Sequence, residues 1–367
     1  MKILLLADLN SPHTQKWASA LSDAGLHIGI FTLSEVDNSL WNGREGITVY
    51  NPVSFSRKRI SGNSYSKLLY LKARKQLRRV VKEFKPDVVH AHYATSYGLL
   101  GALSGFHPLV ISVWGSDVMD FPSRSFLHRM LLRYNFKKAD LLLGTSLVIT
   151  DCIARLTSKS TEVIPFGIDT NVFTQGQERI VFEGSDLVVG TVKSLEKIYG
   201  IDILLRAFRL VSLRHPDKPF KLLIVGEGTM EAEYKELASH LGIDSKTVFT
   251  GRMPYEKIPF YFQNIDVFAN LSRNESFGVS VLEAEACGKP VVVTSVGGLK
   301  EVILPGVTGI AVPSDNPEQA ANAIESLLLD DKFRAEMGRR GRELVKEKFA
   351  MEVCLSRMIA HYKALVS

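Results

Sequence analysis

Two glutamates eight positions apart, Glu275 and Glu283, stand in the run NESFGVSVLEAEACGKP (274–290), directly after the strand-like DVFANLSR. A helix that starts between Ser276 and Val279 offers amide N–H groups with no partner inside the helix. Together with the helix dipole they make an anion site, and Gly278 lets a ligand approach the backbone closely. Glu275 then lies at the lip of the strand end and Glu283 farther along the helix. Carboxylates separated in this way do not share a proton. They can hold the two ends of one extended ligand by its hydroxyls, with a phosphate resting between them. The competing reading is plain helix capping by acids in the first turn.

Neighbouring stretches favour the ligand. VGTVKSLEKIYGID places Lys193 and Lys197 just after a strand, where they can meet a diphosphate. IVGEGTM brings Gly226 to another strand end, but Thr229, Met230 and Glu231 follow its G-x-G, so the dinucleotide fingerprint is broken and a tight turn is the simpler reading. TSVGGLKEVI supplies a further strand-to-helix turn at Gly297 and Gly298. A phosphate on a helix start with hydroxyl-bearing rings to either side describes a sugar nucleotide. There is no G-x-x-x-x-G-K-[ST], H-E-x-x-H or G-x-S-x-G. D-x-D is also missing, so no aspartate pair is expected to hold a metal-bound sugar nucleotide. His90 and His92 are read as pointing to opposite faces of their strand, a poor metal pair. His90 is then a core histidine and His92, nearer the strand's carboxyl end, a cleft candidate.

The elements that position these residues alternate between strand and helix. KILLLA, HIGIFTL, ITVY, DVVHAH, LVISVW, DLLLGT and TEVIP read as buried strands in the first half. Helical stretches lie between them, around 12–24, 64–84, 95–104, 123–137 and 146–157. From residue 187 a second series begins with LVVGTV, KLLIVG, VFTG, DVFANLS, PVVVTS and GIAV. Its helices fall around 200–214, 229–241, 255–262, 279–287, 316–329 and 331–347. Such alternation predicts an α/β chain of two doubly wound domains with parallel sheets. The Gly-rich stretch 165–186 is the expected join. Boundaries of 1–168 and 169–347 follow, with a last helix over 348–367 that returns to the first domain. Ligands of such sheets bind beyond the carboxyl ends of the strands, so the active site is expected in a cleft between the domains.

Charge divides unevenly. Residues 1–170 hold 21 Lys and Arg against 13 Asp and Glu, and the remainder 24 against 26. Arg57 to Lys85 alone has eleven cations and one acid, Glu83. In the helix at 64–84, Tyr70, Ala73, Leu77, Val80, Val81 and Phe84 form one stripe, so the segment is amphipathic. An anionic partner for the first half is expected, set against a merely solvated helix face. The opening MKILLLADLNSPH does not read as a signal peptide, and no uninterrupted apolar run reaches membrane-spanning length. Three scattered cysteines, Cys152, Cys287 and Cys354, suit a reducing cytoplasm.

The chain resembles the family 4 retaining glycosyltransferases of the GT-B arrangement over nearly its whole length. The resemblance rests on E-x7-E, here Glu275 to Glu283 in ESFGVSVLEAEACGKPVV, and on VIPFGIDTNVF, VKSLEKIYGID, LLIVGEG, VFTGRM and GGLKEVI. It implies two Rossmann-like domains facing an interdomain cleft. It implies that Glu275 faces the donor sugar and that Glu283 binds the ribose hydroxyls. Ser276, Phe277, Gly278 and Val279 then line the sugar or phosphates with backbone amides, and Gly226 and Arg252 join the donor site. Lys193 and Lys197 neutralise the diphosphate without a metal. The chain departs from the pattern at Ile198, where relatives carry a basic residue, and at Trp114 in VISVWGSDV, where many have histidine. Asp117 then either takes acceptor contacts or caps the following turn. Ser11 and His13, in ADLNSPHTQKW, stand where relatives have a glycine-rich loop, and bring side-chain donors to the meeting point of acceptor and phosphates.

The expected activity is retaining, metal-independent transfer of a hexosyl or N-acetylhexosaminyl group, with no cofactor, in polysaccharide or glycoconjugate synthesis. The donor is expected to be UDP- or GDP-linked and the acceptor a glycan or a lipid-linked intermediate. No nucleic-acid partner is expected. The basic first domain is expected to sit peripherally on the anionic inner face of the membrane, through Tyr65, Leu68, Leu69, Leu71 and the cations around them. The alternatives are a sugar-nucleotide epimerase, a non-catalytic nucleotide-sugar-binding subunit and, given the broken fingerprint, a dehydrogenase.

Overall fold

The structure, a computed structural model, describes residues 1–34, 41, 44–51, 65–176, 181–182 and 186–367, with the backbone alone for 65–71. The chain forms two units, Met1–Phe166 with Cys354–Ser367, and Gly167–Val353.

In the first unit β1 (Lys2–Leu6), β2 (His27–Phe31), β3 (Ile47–Tyr50), β4 (Val88–His92), β5 (Leu109–Val113), β6 (Leu141–Gly144) and β7 (Thr161–Val163) make one sheet. Its order is β3-β2-β1-β4-β5-β6-β7 and every pairing is parallel. Side chains alternate across a strand, and here both faces are buried. Leu4 and Leu6 of β1 enter one core with Val89 and Ala91, while Ile3 and Leu5 enter another with Val88. Helices α1 (Pro12–Asp23), α2 (Tyr65–Phe84), α3 (Ser96–Ser104), α4 (Ser116–Met119), α5 (Phe126–Lys138) and α6 (Leu147–Ala154) connect the strands. The last helix, α13 (Met351–Val366), sends Cys354, Met358 and Tyr362 into the core of Ile3 and Leu5.

The second unit repeats the scheme. Strands β8 (Leu187–Val192), β9 (Phe220–Val225), β10 (Thr247–Phe249), β11 (Val267–Asn270), β12 (Val291–Thr294) and β13 (Gly309–Val312) pair in parallel in the order β10-β9-β8-β11-β12-β13. Its helices are α7 (Ile201–Arg214), α8 (Glu231–His240), α9 (Ile258–Gln263), α10 (Val279–Ala286), α11 (Pro317–Leu329) and α12 (Asp331–Leu344). Chain direction across the sheet reverses between β1 and β4 in the first unit and between β8 and β11 in the second. Open α/β sheets bind ligands beyond the strand ends at such a reversal.

Several element boundaries differ from expectation for local reasons. Ser125 accepts from His128 N and starts α5 at Phe126, so the helix expected from 123 begins later, after a 3-10 turn at Phe121–Ser123. A 3-10 turn, Tyr255–Lys257, likewise precedes α9, which opens with Pro259 in its first turn, where the missing N–H costs nothing. The units divide after Phe166 rather than 168, and the chain rejoins the first unit at Cys354 rather than 348. In α2, Ala73, Leu77 and Val80 are core, and Arg74 and Arg78 donate through Nε to Leu103 O (3.0 Å) and Ser104 O (3.4 Å) at the end of α3. Residues 57–64 and the side chains of Tyr65, Leu68, Leu69, Tyr70 and Leu71 lie outside the described residues. Among the described residues no helix is long and apolar enough to cross a membrane.

Candidate active site

Lys193 is the first residue after β8, and Glu275 follows the end of β11, the neighbouring strand. Both therefore emerge at the reversal point of the second sheet. Lys193 Nζ pairs with Glu275 Oε2 and stands over the Tyr199 ring, 4.4 Å from its centroid. The side chains are 14% and 11% exposed, so water screens the pair far less than a surface pair. Lys197, in contrast, is exposed on a short 3-10 turn.

Close backbone packing fixes the loops that carry this pair. A Cβ on Gly226 (φ 135) would lie 2.0 Å from Lys193 O, so the turn after β9 seats directly on the lysine loop. Leu195 N donates to Glu227 O at 2.9 Å and Met230 N to Leu195 O at 2.9 Å. The lone G-x-G thus serves loop-on-loop packing. Gly297 does the same from β12: Gly298 N donates to Glu275 O at 3.0 Å, and a Cβ on Gly297 would meet that oxygen at 1.9 Å. Arg273 adds a charged brace. It donates to Asp202 at 2.9 and 2.7 Å, to Asp315 at 2.7 Å and to Lys197 O at 2.6 Å.

Helix α10 opens at Gly278 with no side-chain cap and no acid in its first turn. Glu283 lies beyond that turn and Glu275 before it on Lys193, so the capping alternative does not hold. Ser276 and Val279 are half-buried around the buried Phe277 and Gly278. Glu283 is 6% exposed, and Tyr255 Oη donates to its Oε1 at 3.2 Å. Burial and the Glu283 charge raise the Tyr255 pKa, keeping the phenol protonated as a donor. A pocket of about 440 Å³ adjoins Lys193 and is lined by Ser194, Gly226, Glu227, Arg252 and Met253. That volume suits a small-molecule site. Arg252 meets Glu227 at 3.3 Å in an exposed pair, weakly held and free to exchange partners.

In the first unit the expected residues split into two groups. His90 and His92 share one face, contrary to expectation, because the side-chain period of a strand is 2; their ring centroids are 4.7 Å apart. His90 is core, its Nδ1 on Tyr362 Oη (2.5 Å) and its Nε2 on Ser112 Oγ (2.7 Å). His92 is 3% exposed, with Thr14 Oγ1 3.5 Å from its Nδ1, and packs against Trp114 at 5.0 Å. His13 stacks on Phe166 at 3.9 Å and meets Trp114 edge-on. Burial lowers His13 to about 4, helped by Lys16, and His92 to about 3, helped by His13. Both are neutral at physiological pH. Asp117 ties down the loops before it rather than the turn after it: fully buried, it accepts from Ala94 N and Gly115 N at 2.8 Å and from Trp114 N at 3.2 Å. Ser11 precedes α1 without a side-chain capping bond.

Glu285, two residues past Glu283, is fully buried, and burial pushes its carboxyl well above the ordinary range, offset only in part by Thr308. The folded state therefore holds a proton that the unfolded chain releases. Stability is fully present below the ordinary carboxylate range and falls as pH rises toward the folded pKa. Glu285→Gln is expected to flatten the decline in melting temperature between acidic and alkaline pH. Parallel melting curves for the two proteins would contradict this.

Tyr199, Tyr255 and Arg273 were not singled out as site residues from sequence. Tyr199 sits inside KIYGID and Arg273 two residues before Glu275, so proximity was the available signal; Tyr255, after RMP, offered none.

Residues 174–344 match the family model described as glycosyl transferases group 1, and residues 2–146 the model described as glycosyl transferase 4-like. The chain is 32% identical over 279 residues to a D-inositol 3-phosphate glycosyltransferase of Corynebacterium jeikeium, across 69% of this chain and 66% of that protein's length. Among solved structures, sucrose-phosphate synthase from Thermosynechococcus elongatus superposes with a TM-score of 0.82 at 21% identity, covering 100% and 99% of the two chains. Anabaena HepE in complex with UDP superposes with a TM-score of 0.79 at 19% identity, covering 100% of both. These likenesses identify the fold as GT-B.

Proposed function

Because the chain belongs to the group 1, family 4-like glycosyltransferases, we propose that it moves a hexosyl or N-acetylhexosaminyl group from a nucleotide sugar to a glycan or lipid-linked acceptor, with retention. The observation that carries this reading is the Lys193 ammonium, held between Glu275 and Tyr199 at the sheet reversal beside the start of α10. Such a charge stabilises a departing nucleoside diphosphate. Glu283, with Tyr255 fixing one oxygen, suits the ribose hydroxyls, and Glu275 faces the donor sugar. The leaving phosphate takes the acceptor's proton on the same face, so no protein base is required. UDP is the favoured nucleotide, supported by the likeness to HepE, which was solved with UDP. The first unit receives the acceptor, next to a negatively charged membrane surface at the inner face, which its basic excess suits.

In this reading lysine and helix-start amides, rather than a carboxylate pair, meet the diphosphate and neutralise its charge. Turnover is therefore expected to persist in EDTA. The test combines a thermal-shift screen of sugar nucleotides with product analysis in chelator. A bound donor stabilises by about 2.7 kcal/mol at a hundredfold excess over its Kd. Absence of any sugar-nucleotide shift would overturn the donor reading. Loss of turnover in EDTA, restored by manganese, would overturn the metal-free one.

A further inference from the structure

Helix α5 carries side chains that the core of the first unit does not use. Its inner face, Leu132, Asn135 and Phe136, is buried, and Asn135 Nδ2 donates to Ala94 O at 2.9 Å. The opposite face is apolar and open: Phe126 is 69% exposed, Leu127 75%, Met130 47% and Tyr134 40%. At about 100° per residue these four fall within roughly a third of the helix circumference. Exposed Arg129 and Arg133 border the stripe on one side and Lys138 on the other, while Lys137 stands within it. The helix contains no acid. Lys159 Nζ donates to Lys137 O (3.0 Å) and to Ala139 O, which brings a further ammonium to its carboxyl end.

Contiguous exposed stripes of this kind mark contact surfaces. This one has the composition of a helix that lies in a bilayer interface: large apolar side chains and an amphipathic tyrosine in the middle, with long cations able to snorkel on both sides. Cations along both borders and within the stripe, without a single acid, call for an anionic occupant. The stripe of α2 differs, since its Ala73, Leu77 and Val80 are core. We propose that α5 is the surface by which the first unit docks on an anionic lipid bilayer. Phe126, Leu127, Met130 and Tyr134 enter the interface, and Arg129, Arg133, Lys137 and Lys138 meet the head-group phosphates. The inference rests on the membrane-associated reading above and gives it a surface.

The test is co-sedimentation of the full chain with phosphatidylcholine vesicles, with and without phosphatidylglycerol, at low and high salt. The wild-type protein is expected to sediment with the anionic vesicles at low salt and to be released by salt. Phe126→Ser/Leu127→Ser/Met130→Ser is expected to weaken partitioning on the order of 100-fold, three buried side chains being lost from the interface. Its melting temperature and its shift with UDP should remain as in the wild type, because the three residues touch neither core nor candidate site. Lys72→Ser/Lys75→Ser/Arg79→Ser, on the exposed side of α2, is expected to cost far less. Independently, Phe126→Trp should give a blue-shifted emission with anionic vesicles. Wild-type binding that survives the α5 triple substitution, or falls as much with the α2 substitutions, overturns the assignment of the surface and leaves the membrane reading standing. No wild-type binding to either vesicle, equal binding to both, or self-association through the α5 face in place of vesicle binding overturns the proposal outright.

Discussion

Lys193→Met is expected to lower turnover by about 10²–10³-fold, the effect of removing one pre-placed stabiliser of developing negative charge. Methionine keeps an unbranched stem over Tyr199 and removes only the ammonium, so packing is a minor part of the change. The effect is large because the site is dry. Lys193 is 14% exposed and its partner Glu275 11%, so solvent does little of the stabilising work. Lys197→Met supplies the contrast. Its side chain is exposed and its carbonyl, not its ammonium, is engaged by Arg273. A loss of less than about tenfold is expected there, the scale of a screened surface charge. Steady-state kinetics with one donor compares the two. If both substitutions cost the same, the lysines act as a diffuse positive patch and the special position of Lys193 is lost. If neither lowers turnover, the diphosphate lies elsewhere.

The fold was legible because both sheets are parallel and buried on both faces, which leaves short continuous apolar strands between helical stretches. KILLLA and LVVGTV are of strand length and end at turn-forming or polar residues, which decides between a buried strand and a buried helix segment. Boundaries were less legible wherever a capping residue or a 3-10 turn decided them, as at Ser125 and Tyr255. The second-unit candidates Glu275, Glu283 and Lys193 lie within the motifs that carry the family resemblance, so they stand out in the sequence. What spacing cannot give is side-chain pairing across loops. Nothing local says that Lys193 meets Glu275, that Tyr255 fixes Glu283, or that the Gly226 turn rests on the lysine loop. In the first unit the error was one of period: residues two apart on β4 share a face, and the buried His90, His92 and Tyr362 form an aromatic cluster with the half-buried Trp114 and His13. For Asp117 the sequence leaves acceptor contact and turn capping open, because the donors that claim its carboxylate include Ala94, 23 residues away.

The two glutamates should separate binding from turnover. Glu283→Ala removes a 6%-exposed acceptor and leaves the Tyr255 hydroxyl without that acceptor. The lost hydroxyl contacts are worth about 1–3 kcal/mol, or roughly 5- to 150-fold in the Kd for UDP. Glu275→Ala acts in the opposite sense on that measurement. Its carboxylate occupies the Lys193 ammonium, so a diphosphate that comes to the same ammonium competes with it. Removal of Glu275 frees the charge, and UDP affinity is expected to hold or to increase. Turnover is expected to fall nonetheless, because the sugar loses its carboxylate and Lys193 loses the partner that aims it. Calorimetry with UDP alone, next to turnover with the full donor, reads both effects. Should Glu275→Ala weaken UDP as much as Glu283→Ala does, the carboxylate belongs to the nucleotide half of the site and the sugar must lie on the other side of Lys193. Should Glu283→Ala leave UDP binding untouched, the ribose is not held by α10 at all.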